Sequence, residues 1–333
     1  MKILFNLMKC GLANNGGSST LIKSANVLQD LGNEVIIIDS GKNNYTWSPL
    51  KVEHKIIKNL KDVPDADIIL ATGFKTVKST LELPDRCGMK FHWIRAWETW
   101  QMSESSIIKR VLKVPTYKLV NSVGLYKKLI EYKIPSNIVY PGYDFDEIYP
   151  TDIPDRNSNE IIIGGLNASK KHWDTKRTNW IIEIAKKLKN DIPNIKLYMI
   201  GNDKNPNPNI VDKYYRRPSI EKKNEFYNSI NLWLSPSCLE GLHIPPAEAM
   251  MTNCPVVGVD TELSGTKDYL FDGVNGLIAK NNFKSFYTFV ESLIIDKQLL
   301  NSLGKNTRSN ILNIGNRIDN MKIMQSIFKG MIL

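Results

Sequence analysis

The chain has 333 residues, 42% hydrophobic and 9% aromatic, with 44 Lys and Arg against 34 Asp and Glu for a formal net charge of +10. That length supports two domains with well-buried cores, and the composition excludes a disordered or fibrous chain. The charge excess favours anionic partners such as nucleotides, anionic lipid or glycan chains, or nucleic acid, although a lysine-rich solvated surface gives the same number.

No apolar run approaches the roughly 18 residues of a membrane span. Residues 2–8 are too short for a signal segment and read as a buried strand. Cys10, Cys87, Cys238 and Cys254 show no paired metal-ligand spacing, and the four histidines form no metal-binding pair. Reduced thiols and a cytoplasmic location are therefore expected, with peripheral attachment at the inner membrane surface as an open alternative.

Residues 3–7 read as a strand, and residues 11–17 as a loop. Ser18 or Ser19 is expected to cap a helix with Leu21, Ile22, Ala25, Leu28 and Leu31 on its apolar face, ended by Gly32. Residues 35–38, 67–71 and 89–94 are further strands, and this alternation predicts a parallel sheet with crossover helices. Phe91 to Trp100 gathers His92, Trp93, Arg95, Trp97, Glu98 and Trp100. Its aromatic faces can stack on a sugar or a base, and a tryptophan-rich core strand is the plain alternative. Residues 107–133 intersperse Lys109, Arg110, Lys113, Lys118, Lys127, Lys128 and Lys133 with apolar residues. They form either a basic amphipathic patch for anionic lipid or phosphates, or a solvated face.

Residues 151–159 are polar and suit a linker. The second half repeats the first: a strand and glycine turn at 161–165, a helix presenting Trp180, Ile181, Ile184, Ala185 and Leu188, and the next strand and turn at 195–201. Asp65-Ala66-Asp67 and Asp144-Phe145-Asp146 flank strands and read as structural, so no metal is expected. The richest stretch runs from Pro236 to Met250. It reads as strand end, loop and helix, with Pro245 and Pro246 suited to a first helical turn. Glu240 falls in the loop and Glu248 early in the helix. Both can face one cleft beside backbone N–H groups that favour an anion, an arrangement suited to a ligand carrying hydroxyls and phosphates.

This stretch closely resembles the E-x7-E signature of family 4 retaining glycosyltransferases. Cys254-Pro255-Val256-Val257 resembles that family's small-Pro-Val-Val strand, and Asp272-Gly273-Val274-Asn275-Gly276-Leu277-Ile278 its D-G-x-N-G turn. Residues 138–146 resemble its interdomain strand. The resemblance implies an α/β GT-B fold of two Rossmann-like doubly wound domains facing a central cleft. Residues 1–149 would form the acceptor domain and 150–315 the nucleotide-sugar donor domain. Residues 316–333 would form a helix, centred near 318–328, that crosses back to the first domain.

It further implies a retaining, metal-independent hexosyl- or pentosyltransferase using a nucleotide-diphosphate sugar, a UDP-sugar first among them, with no resident cofactor. In that reading Glu248 holds the ribose hydroxyls and Glu240 lies beside the donor sugar. Gly241, Leu242, His243 and Ile244 offer backbone donors, His243 standing where the family usually has glycine. Lys176 matches the K-G lysine of the family's diphosphate site, with Arg177 in place of the glycine and Lys170 or Lys171 standing in for its arginine. Gly16 and Gly17 match the glycine pair of the first loop. His92, Arg95, Trp97 and Glu98 are the candidates on the acceptor side. The acceptor implied is a glycan or lipid-linked intermediate, anionic or at a membrane surface. Transfer to a hydroxylated base in DNA is the alternative, and a non-catalytic sugar-nucleotide-binding subunit is a third reading.

Overall fold

The computed structural model describes residues 1–41, 43–151 and 160–332. They divide into two compact units, Met1–Tyr143 with Gly315–Leu333, and Asp144–Ile314. Residues 152–159, most of the expected linker, lie outside the described residues. Among the described residues no helix is long and apolar enough to cross a membrane.

The first unit runs β1 (Lys2–Asn6), α1 (Gly16–Asp30), β2 (Glu34–Asp39), β3 (Glu53–Ile56), β4 (Ile68–Ala71), α2 (Phe74–Glu82), β5 (Met89–Ile94), α3 (Glu104–Ile107), β6 (Tyr117–Val120), α4 (Val123–Glu131) and β7 (Asn137–Ile138). Its strands pair in parallel in the order β3-β2-β1-β4-β5-β6-β7. A parallel sheet covered on both faces needs near-continuous apolar strands; the central strands β1, β2 and β4 supply them, while the edge strand β3 is polar. Ile3 and Phe5 pack with Leu21, Ile22, Ala25 and Leu28 of α1, while Leu4, Ile36, Ile38 and Ile69 pack with Leu83 and Cys87 on the other face. At the end of β1 the buried Asn6 amide donates to Thr76 O, Ser79 Oγ and Thr80 Oγ1 at 3.3, 3.1 and 2.8 Å, tying β1 to α2.

Two expectations change here. The cap of α1 is Asn15, whose side chain accepts the Ser18 N–H at 2.9 Å, so Gly16 and Gly17 form the first turn of the helix rather than the end of a loop. The basic segment at 107–133 is not one amphipathic face. It is divided among α3, a π-turn at Ile108–Leu112, β6 and α4. Within it, Lys118 is buried and donates to Val114 O and to Thr116, while Lys128 pairs with Glu131.

The second unit runs β8 (Ile161–Asn167), α5 (Trp173–Lys176), α6 (Thr178–Asp191), β9 (Ile195–Gly201), β10 (Lys213–Arg216), α7 (Ile220–Ser229), β11 (Leu232–Ser235), α8 (Ile244–Met251), β12 (Val256–Val259), β13 (Gly276–Ala279), α9 (Phe283–Ile295) and α10 (Lys297–Leu312). Its sheet is parallel in the order β10-β9-β8-β11-β12-β13. Strand order reverses between β8 and β11, the position where open α/β sheets place ligands beyond the strand C-termini. Gly164 and Gly165 sit inside β8, not in a turn. A Cβ there would lie 2.5 Å from Ile230 Cδ1 or 2.9 Å from Ile181 Cδ1, so they are small to admit neighbouring side chains.

The last helix, α11 (Arg317–Ile332), belongs to the first unit, burying Met321, Met324 and Phe328 in its core with the Phe328 ring edge-on to Phe91. The units divide between Tyr143 and Asp144, ahead of the expected boundary at 149/150. Hydrogen bonding explains the position: Tyr143 exchanges backbone bonds with Gly315 and Arg317, whereas the N–H groups of Tyr149 and Thr151 bond the Asn224 and Asn228 side chains of α7.

Candidate active site

The residues matched to the donor site fall in the second unit, apart from Gly16 and Gly17. β11 ends at Ser235, and residues 236–243 form a loop leading into α8, where Pro245 and Pro246 occupy the first turn. Two backbone bonds clip this loop to residues 263–265: Glu240 N–H to Leu263 O at 2.7 Å and His243 N–H to Gly265 O at 2.9 Å. A third joins it to α5, Cys238 N–H to Thr175 O at 2.9 Å. That link brings Lys176 to Glu240, and the two side chains form an ion pair.

Glu240 is 10% exposed. Burial pushes its carboxyl up, but His243, Lys176 and the Ser237 hydroxyl outweigh burial and hold it below the ordinary value. The His243 imidazole is buried, with Nδ1 3.2 Å from Ser235 Oγ. Its Nε2 lies 3.4 Å from Glu240 Oε1 and makes no hydrogen bond. Burial pushes His243 down to about 4, with Glu240 opposing and Lys176 adding. At neutral pH His243 is therefore uncharged, and Lys176 is the cation that faces Glu240.

Glu248 stands in the middle of α8 rather than at its start, with its side chain 12% exposed. Its two oxygens are taken by Lys223 Nζ and by Tyr227 O–H, the latter at 2.8 Å. Neither residue was singled out in the sequence. The available signal was their spacing of four on α7, which puts both on one helix face. Arg177 adopts a left-handed backbone (φ 53), lays its guanidinium 4.2 Å from the centre of the Trp180 ring and donates to Pro236 O at 3.4 Å. Lys170 and Lys171 are exposed on a single turn ahead of α5. Leu242 is buried and Ile244 opens α8.

The first unit uses its candidates differently. Arg95 donates to Gly17 O at 2.8 Å and Thr72 O at 2.9 Å, bracing the first turn of α1. Burial lowers this guanidinium to about 10, so it stays charged. Glu98 accepts the Phe74 N–H at 2.6 Å at the start of α2. Trp97 is 4% exposed and stacks on Tyr132. His92 is 1% exposed, and neither of its ring nitrogens has a hydrogen-bond partner. In the structure these four candidates make internal contacts. His92 and Trp97 are interior groups, and the polar atoms of Arg95 and Glu98 hold helix ends. The D-x-D aspartates at 65 and 67 are also structural, Asp65 pairing with Arg86 and Asp67 accepting the Lys2 N–H.

The two buried histidines predict acid lability. Burial, with Lys118 and Arg95, pushes His92 down to about 3. Both imidazoles are thus held below the unfolded value of roughly 6.5, so the unfolded chain binds more protons between that value and about 4. Stability is fully present above the unfolded value and is lost as pH falls through the window, on the order of 3 kcal/mol for His243. Urea unfolding at about pH 7.5 and about pH 5 is expected to show the loss. His92→Leu should shrink the difference and leave the part due to His243, and an unchanged difference in that variant would contradict the assignment to His92.

Residues 162–296, all within the second unit, match the family described as Glycosyl transferases group 1, so that unit carries a group 1 glycosyltransferase domain. Over 108 residues the chain is 32% identical to the capsular polysaccharide biosynthesis glycosyltransferase CapM of Staphylococcus aureus, a match covering 32% of this chain. It spans about a quarter (27%) of that relative's length. Among solved structures, the chain is similar to sucrose-phosphate synthase from Thermosynechococcus elongatus, with a TM-score of 0.77, 14% identity and 99% of each chain covered. It is equally similar to Anabaena HepE in complex with UDP and glucose, at a TM-score of 0.77 and 14% identity over 99% and 100% of the two chains. WaaG, a glycosyltransferase involved in lipopolysaccharide biosynthesis, follows at a TM-score of 0.72 and 14% identity over 98% and 100%. The two parallel sheets with their helices have the fold of the GT-B glycosyltransferases.

Proposed function

We propose that this chain is a family 4 retaining glycosyltransferase that moves a sugar from a nucleotide-diphosphate sugar to an acceptor hydroxyl in glycan or glycolipid synthesis. One observation carries the reading. A single loop-and-helix segment of the group 1 domain presents two largely buried carboxylates, Glu240 and Glu248, each paired with a lysine from a separate element. Glu248 accepts the ribose hydroxyls, which need an acceptor-only group. Glu240 holds the donor sugar together with the 241–244 loop. Lys176, with Arg177, takes the charge that grows on the departing diphosphate.

The bond from the anomeric carbon to the diphosphate oxygen breaks while the bond to the acceptor oxygen forms on the same face. The acceptor proton passes to the leaving phosphate oxygen, so no metal or resident cofactor is invoked. The UDP and glucose bound in HepE favour a uridine donor, and the roles stated for CapM and WaaG favour a glycan acceptor.

A thermal-shift screen of UDP-, GDP-, ADP-, CMP- and dTDP-sugars tests this. One nucleotide class, UDP first, is expected to stabilise the protein by about 2.7 kcal/mol at a hundredfold excess over Kd. NMR of the transferred product should show the donor's anomeric configuration kept. Inversion would refute the mechanism, and indifference to every nucleotide sugar would refute the function.

A further inference from the structure

We infer that Lys223 and Tyr227 are positioning residues that fix the Glu248 carboxylate and thereby make the site prefer a ribonucleotide over its 2′-deoxy counterpart. The inference rests on the reading of Glu248 as the ribose ligand.

Lys223 and Tyr227 lie one turn apart on α7 and take one carboxylate oxygen each. The tyrosine is a rigid donor. It is 1% exposed, its ring packs between Phe226 and Trp233 with centroids 5.1 and 5.7 Å away, and its backbone carbonyl accepts from Thr252 Oγ1 just past α8. Burial and the neighbouring Glu248 push the phenol well above its ordinary value, so it remains an O–H that donates. Lys223 is 31% exposed at its side chain, enough for its replacement to leave the core intact.

A carboxylate offers about four acceptor positions, two on each oxygen. With α7 using one position on each oxygen, one remains on each. Two free positions on two fixed oxygens match a vicinal diol that gives one hydroxyl to each. Without Lys223 the carboxylate is held at one oxygen only, and the paired presentation is lost. A nucleotide lacking its 2′-hydroxyl leaves a partly buried acceptor unfilled, a loss that a loosened carboxylate no longer feels.

Calorimetric titration of the full chain with UDP and 2′-deoxy-UDP tests this. The unaltered protein should bind UDP at least about tenfold more tightly than 2′-deoxy-UDP. In Lys223→Met and in Tyr227→Phe that ratio should fall to within about threefold, and Lys223→Arg should restore it. The double variant Lys223→Met with Glu248→Gln should bind UDP no more weakly than Glu248→Gln alone, because the lysine acts through the glutamate. A ratio unchanged in Lys223→Met, or losses that add in the double variant, would overturn the inference while leaving the donor reading intact. If the unaltered protein binds none of UDP, GDP and ADP, the donor reading fails and takes the inference with it.

Discussion

Lys176→Met is expected to slow sugar transfer by about 10²–10³-fold, most of it in kcat, with a smaller loss of donor affinity. The ammonium already sits against Glu240, 24% exposed, on a turn joined to the Glu240 loop by a backbone hydrogen bond. In the proposed mechanism that fixed charge is preorganised for the departing diphosphate, so no reorganisation has to accompany the reaction. A second consequence separates this role from bulk packing. The variant leaves Glu240 in a buried site with His243 and the Ser237 hydroxyl but no cation beside it, so the imidazole loses a cation and keeps an anion. Its value should rise from about 4, and the acid side of the pH–stability curve should flatten. The unpaired carboxylate also destabilises the fold, by less than the roughly 3–5 kcal/mol of a fully buried pair because Lys176 keeps contact with solvent. Lys176→Arg should recover part of the rate, since charge returns without the ammonium's compact shape. Single-turnover kinetics decide the matter: a rate within a few-fold of the unaltered protein would remove Lys176 from the chemistry.

What could be read from the sequence follows from how locally each feature is written. Parallel strands are largely apolar runs, so the strand at 89–94 was legible to the residue and the one at 195–201 was legible too, except that Gly201 ends the strand rather than forming a turn. The Glu240, Pro245 and Glu248 spacing sits within one loop and helix, and its order along the chain survives folding. The start of α1 was misplaced because Asn15, Ser18 and Ser19 can all cap, and a Gly-Gly pair argues against a helical first turn. The stretch from Phe91 to Trp100 is hard to read for a different reason. Many functional side chains in one window say nothing about which face each takes, and β5 turns His92 inward next to its strand neighbour Lys118. The Lys223–Glu248 pair was invisible because it joins two helices at no fixed sequence interval. Gly164 and Gly165 looked like a turn, but the isoleucines that require them lie far along the chain, at 181 in α6 and at 230 just past α7.

Gly265→Ala should abolish transfer and destabilise the second unit by about 3 kcal/mol or more, and Gly273→Ala provides the contrast. Both glycines hold left-handed backbones, φ +71 and φ +70. For an alanine that conformation alone costs on the order of 1 kcal/mol. The surroundings differ. A Cβ on Gly273 meets nothing within 4 Å, whereas one on Gly265 would lie 2.5 Å from Glu240 Cβ, 2.9 Å from His243 N and 3.1 Å from Gly241 O. Those neighbours are the loop itself, clipped to 263–265 by its two backbone bonds and braced from behind by Tyr269, whose hydroxyl donates to His243 O. The added methyl cannot be absorbed by a flexible side chain. It must push the backbone that sets both Glu240 and the entry to α8, so the Lys176 contact and the Glu248 position move together. Urea unfolding should therefore show Gly273→Ala losing only the conformational cost with transfer retained, and Gly265→Ala losing several-fold more with transfer gone. Equal destabilisation of the two, or an active Gly265→Ala, would mean that the 263–265 segment does not hold the glutamate loop in place.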